Sequence, residues 1–154
     1  MITLDDRPTT VHAAGAHLLS TERIRHDALS CIVIGTTPEM LREAAASLQI
    51  ADLGPMWLAL ADEIELLAAC GVTGRSARDA AKIALVANDA TAADFRAPEA
   101  YRDLPGTRRR VRMIADEMDA LRADGFDPAA YEKEIDLACR RSPASGPHGA
   151  SSLN

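Results

Sequence analysis

Rings are scarce in this chain of 154 residues: Trp57, Phe95, Tyr101, Phe126 and Tyr131 are all it has. With aromatics at 3% and hydrophobic residues at 47%, core volume falls to Leu, Ile, Met and above all Ala. Such interiors suit close-packed helices better than sheets. Lysine stands only at 82 and 133, so basic charge is carried by arginine. Cysteine is sparse and odd in number, at 31, 70 and 139. That spacing matches neither a disulfide framework nor a zinc signature, and buried thiols in a reducing cytoplasm are the expectation. No stretch approaches the ~20 apolar residues of a membrane span. Met1 to Asp6 lacks a basic region followed by an apolar run, so export is not expected either. These features together predict a cytoplasmic protein.

The charge balance adds one more exclusion. A formal net charge of -6 opposes nonspecific attraction to phosphate backbones and anionic lipid, so binding nucleic acid would require a local basic patch. The length fits one domain of ordinary size, able to remove roughly two-thirds of its unfolded surface from water.

What is present is dense helix punctuation. Thr37-Pro38-Glu39 places a capping hydroxyl, a proline at the first helical position and a carboxylate in the first turn, which predicts a helix over 38–49. A second begins near Pro55, with Met56, Trp57, Leu60, Ile64 and Leu67 at helical spacing, and closes at Gly71. Thr73 or Ser76 opens an Ala-rich helix to about Asn88, with Ala77, Ala80, Ala81, Ala84 and Leu85 inward. One or two turns follow over 98–103, stopped by Pro105-Gly106. Thr107 then caps a helix carrying Val111, Ile114, Met118 and Leu121, which ends before Gly125. Asp127-Pro128 starts the last, with Tyr131, Ile135, Ala138 and Cys139 inward.

The beginning of the chain offers a short helix over 10–19 and a second one capped by Ser20 or Thr21. The run Cys31-Ile32-Val33-Ile34-Gly35 is apolar and β-branched, and periodicity alone does not separate strand from helix over so few residues. Helix is the better reading, because no second strand exists for it to pair with. From Ser142 the composition turns to Ser, Pro, Gly and Ala, with too little apolar surface to offset ordering entropy. The expected organisation is therefore a helical domain over 1–141 and a flexible tail over 142–154. Residues 60–72 also resemble 114–126 at an offset of 54, each reading as helix, glycine cap, apolar residue and a new cap. Two αα-hairpins built to the same rules are the favoured account, and a duplication is the alternative.

Few constellations suggest chemistry. Arg108, Arg109, Arg110 and Arg112 crowd the start of one helix, where positive charge opposes the macrodipole. Consecutive residues fan about 100° apart, so they cannot all address one compact site. Arg112 can pair with Asp116, and Arg108, Arg109, Arg110 and Arg112 form a candidate partner-facing spot. Residues 60–88 have the outline of a helix-turn-helix, with Arg75, Ser76 and Arg78 placed to face a major groove. Asp62, Glu63 and Glu65 on its first helix would repel phosphates. Glu22 and His26 lie one turn apart without the second ligand set of a helical dimetal site. The acidic groups 62–65, 116–119 and 132–136 read as solvated faces. No glycine-rich phosphate loop and no partnered nucleophile is present.

The sequence thus predicts an all-α fold, a compact bundle of about six or seven helices built from αα-hairpins. No cofactor and no metal are implied. The expected role is a noncatalytic adaptor, regulatory or assembly module that binds protein subunits, its own copies included. The alternative is a small DNA-binding regulator using the hairpin at 60–88.

Overall fold

The computed structural model describes residues 20–48, 53–97, 99 and 105–141, and among them it contains seven helices and no strand. The expected helix over 10–19, the tail over 142–154 and nearly all of the short segment over 98–103 lie outside the described residues.

Helix α1, Thr21–Ile34, is capped by Ser20, whose hydroxyl accepts from the Arg23 N–H at 3.2 Å. The run over 31–34 completes this helix, with Ile32 and Val33 buried, and Gly35 closes it at φ 87°. Helix α2, Pro38–Leu48, starts where the Thr37 hydroxyl accepts from the Met40 N–H. Helix α3, Leu53–Ala69, begins two residues ahead of Pro55 and ends in a Schellman turn. There Gly71 sits at φ 93° and the Val72 N–H donates to the Leu67 carbonyl at 2.8 Å. Helix α4, Ala77–Ala87, runs from a Ser76 cap to Asn88 in the left-handed region.

Two boundaries depart from the sequence-based expectation. Helix α5, Ala92–Arg96, fills the stretch ahead of 98–103, opened by a capping box between Thr91 and Asp94. Helix α6, Pro105–Ala123, begins at its proline, which leaves Thr107 inside the first turn rather than at the cap. Proline with fixed φ and no N–H suits the first helical position better than the threonine two residues later suits the cap. Helix α7, Pro128–Arg141, follows Asp127, whose carboxylate accepts from the Ala129 N–H.

Packing reveals a repeated construction. α1 packs on α3 as α4 packs on α6, α2 lies on α3 as α5 lies on α6, and α4 rests on α1 as α7 rests on α4. The resemblance between 60–72 and 114–126 is part of this larger pattern. Leu60, Ala61, Ile64 and Leu67 are buried, and so are Ile114, Ala115, Met118 and Leu121, each 54 residues on. The second Schellman turn repeats the first, with Gly125 at φ 80° and the Phe126 N–H donating to Leu121 at 2.9 Å. The described residues form two three-helix units in tandem, with α7 resting on α4 as α4 rests on α1.

The Ala-rich α4 is the central element, touching α1, α6 and α7. Ala80, Ala81, Ile83, Ala84, Leu85, Val86 and Ala87 are all buried, which only small side chains at 80, 81, 84 and 87 permit. Gly74, ahead of α4, has φ 63°, and a Cβ there would stand 2.8 Å from the Ile32 Cγ2. Glycine is required at that crossing for both reasons.

Candidate functional site

The helices are tied to one another by arginine, and the ties follow the tandem pattern. In the first unit Arg42 on α2 reaches Asp62 at 2.9 Å and Glu65 at 2.6 Å on α3. In the second, Arg96 on α5 reaches Asp116 at 2.8 Å and Asp119 at 2.7 Å on α6. All three positions recur 54 residues later. The acidic groups over 62–65 and 116–119 are solvated, as expected, and also carry inter-helix ties. Asp116 accepts from Arg96, and not from Arg112 as its i,i+4 spacing suggested. Arg42 holds the Glu65 carboxyl below its usual range through hydrogen bonding, and Glu65 together with Asp62 raises Arg42 in turn.

A third tie joins the equivalent helices in both units and is unequal in setting. Arg78 on α4 meets Glu117 on α6 at 3.2 Å in the open, with side chains 49% and 37% exposed. In the first unit Arg25 on α1, one place out of step with the 54-residue repeat, meets the equivalent Glu63 on α3 with only 19% and 13% exposed, and also Asp136 on α7 at 2.9 Å. Burial works against the Arg25 charge, but the hydrogen bond and charge of Glu63, helped by Cys139 and Asp136, outweigh it and leave its pKa raised. Arg25 is therefore a charged clasp joining α1, α3 and α7.

Beside this clasp lies a groove of about 950 Å³ between α1 and α7. One wall carries Glu22, Arg23 and His26, the other Glu132, Asp136 and Arg140, and Leu29, Leu66 and Cys139 contribute apolar surface. Helical spacing sets the first wall, because 22, 25, 26 and 29 share one face of α1. The Glu22 and His26 pair, noticed in sequence only for its one-turn spacing, faces this groove. Among the described residues no three His, Cys, Asp or Glu side chains are grouped to hold a metal ion. The groove offers charges of both signs around a narrow apolar strip, a surface able to receive a polypeptide segment through paired charges and a few apolar contacts.

The arginine cluster anticipated as a partner-facing spot is dispersed by the helix. Arg110 donates to the Gly74 and Arg75 carbonyls, fastening α6 to the turn before α4. Arg108 is half-buried, whereas Arg109 and Arg112, one turn apart on α6, are exposed. The residues of the DNA-binding alternative lie at the exposed first turn of α4: Arg75 and Ser76 face outward, Ser76 also caps the helix, and Arg78 pairs with Glu117. Beyond that turn α4 is enclosed by its neighbours.

Comparison with known proteins finds no matching family model, no matching curated sequence and no matching solved structure. Among the described residues no helix is long and apolar enough to cross a membrane.

Proposed function

We propose that this protein is a noncatalytic adaptor or assembly module whose α1–α7 groove receives a segment of a protein partner, another copy of the chain included. The observation that carries this reading is the groove itself: two helix walls of mixed charge, held at a fixed separation by the Arg25 clasp. Tandem helical units commonly present extended surfaces for polypeptides, because their cores are satisfied between neighbouring helices and their outer faces are left for recognition. Recognition through opposed charges adds specificity more than raw affinity.

The DNA-reading alternative depends on α4 entering a major groove. Its burial on three sides leaves only the first turn for contact, and the net charge of -6 opposes the approach.

Retention of partners from cell extract by the full chain, set beside its scattering mass, tests the proposal. A partner or self-association lost in Glu22→Lys with Glu132→Lys, at unchanged melting temperature, is the expected result. A monomer that retains nothing contradicts it. Salt-sensitive retention on duplex DNA that depends on Arg75 would replace it with the alternative.

A further inference from the structure

Cys70 and Cys139 are far apart in sequence and meet in the fold. Cys70 lies in the Schellman turn that ends α3, half-buried, and Cys139 lies on the inward face of α7, 4% exposed. α3 and α7 are in contact, and the Cys139 thiol lies close enough to Cys70 to be perturbed by it. Cys139 also lines the α1–α7 groove, which gives small molecules a route to the pair. Cys31, half-buried on α1, takes no part.

We propose that Cys70 and Cys139 form a reversible disulfide under hydroperoxide, locking α7 onto α3 and fixing the groove. Burial first, and then the neighbouring Cys70, hold the Cys139 thiol above the usual thiol range against the lowering influence of Arg25. Cys70, half-buried at a helix end, is the thiol that meets the oxidant, and the buried Cys139 is the resolving one. In the first step the Cys70 thiolate attacks one peroxide oxygen, the O–O bond breaks, and hydroxide leaves to take up a proton as water. In the second, the Cys139 sulfur attacks the sulfenic sulfur of Cys70, the S–O bond breaks, and the Cys139 proton leaves with the hydroxyl as a second water. Two thiols are oxidised by two electrons and one hydroperoxide is reduced by two.

The new bond would close a loop of about 70 residues, among the lengths that restrict an unfolded chain most strongly. It would tie together two helices already clasped by Arg25, with little rearrangement of either.

The test uses the full chain, reduced, freed of reductant and exposed to hydrogen peroxide. Thiols counted after denaturation should fall from three to one, and nonreducing peptide mapping should join the peptide of Cys70 to that of Cys139. The melting temperature should rise by about 5–10 °C and return with dithiothreitol. Cys31→Ser should behave as the parent, whereas Cys139→Ala should lose both the linked peptide and the shift. Should Cys139→Ala fail to fold, Cys70→Ala at the half-buried helix end supplies the same comparison. A native chain that keeps three thiols under conditions that oxidise the unfolded one would overturn the proposal. So would a bond through Cys31, a bond between two chains, or Cys70 ending as sulfinic acid. None of these results depends on whether the groove binds a protein.

Discussion

The first three-helix unit, α1 to α3, and the second, α4 to α6, tie the same helices together with arginine, yet one tie has become structural in a way the other has not. Arg42 and Arg96 sit one turn past their capping threonines and reach equivalent carboxylates. Arg25 and Arg78 stand one place out of step but reach the equivalent Glu63 and Glu117, and α7 covers the first pair while nothing among the described helices covers the second. Sequence position assigns the pair, and the neighbour packed over it decides what the pair is worth. An exposed pair in high dielectric contributes little, whereas a covered one is costly to leave half-made.

The strongest way to probe the comparison is where the units should agree. Leu67 and Leu121 are fully buried equivalents just before the two Schellman turns. Leu67→Ala and Leu121→Ala should each cost about 3 kcal/mol in denaturant unfolding, within the usual range for large-to-small core changes. A large disparity between them would break the equivalence.

Next in size is the contrast in the clasp. Arg25→Ala strands Glu63 in a largely covered position and should cost about 2–3 kcal/mol, allowing for partial solvent screening. Arg78→Ala, in the open, should cost under about 1 kcal/mol. Gly74→Ala tests the crossing of α1 and the turn before α4. A left-handed φ and a Cβ pressed on Ile32 should together cost about 2 kcal/mol, read as a lower unfolding midpoint.

The smallest effect concerns acid. The Glu65 carboxyl is lowered in the folded state from 4.5 by Arg42. Its contribution is therefore present above about pH 4.5 and is lost as pH falls through the lower folded value. Arg42→Ala should lower the melting temperature slightly above about pH 4.5 and meet the parent in acid, so that its profile is flatter below about pH 4.5. The capping box adds to the same limb, because the Thr91 backbone N–H and hydroxyl lower Asp94 from 3.8.

Much of the fold was legible because its signals are local. Ser76 and Asn88, Thr37, Gly71 and Gly125 mark helix ends through chemistry confined to a few residues. The helix over 31–34 was legible by elimination, since a strand there had nothing to pair with. α5 was missed because a box closed by Asp94, in place of the commoner Glu or Gln, introduces only five helical residues. The ion pairs were illegible for a different reason. Asp62 and Glu65 look merely solvated until α2 is known to lie on α3, and Asp116 looks destined for Arg112 until α5 lies on α6. The groove had no sequence signal at all: Glu22 and His26 are joined to Asp136 and Cys139 only by the docking of α7. The 54-residue resemblance was visible over one helix and turn, while its extension through Arg42 and Arg96 required the structure.

The asymmetry between the units is measured most directly by paired double-mutant cycles, Arg25→Ala with Glu63→Gln and Arg78→Ala with Glu117→Gln, in equilibrium unfolding. A coupling of about 2 kcal/mol in the first cycle and under about 0.5 kcal/mol in the second is the expected result. Equal couplings in the two cycles would contradict the claim that α7 turns the first pair into the clasp of the groove.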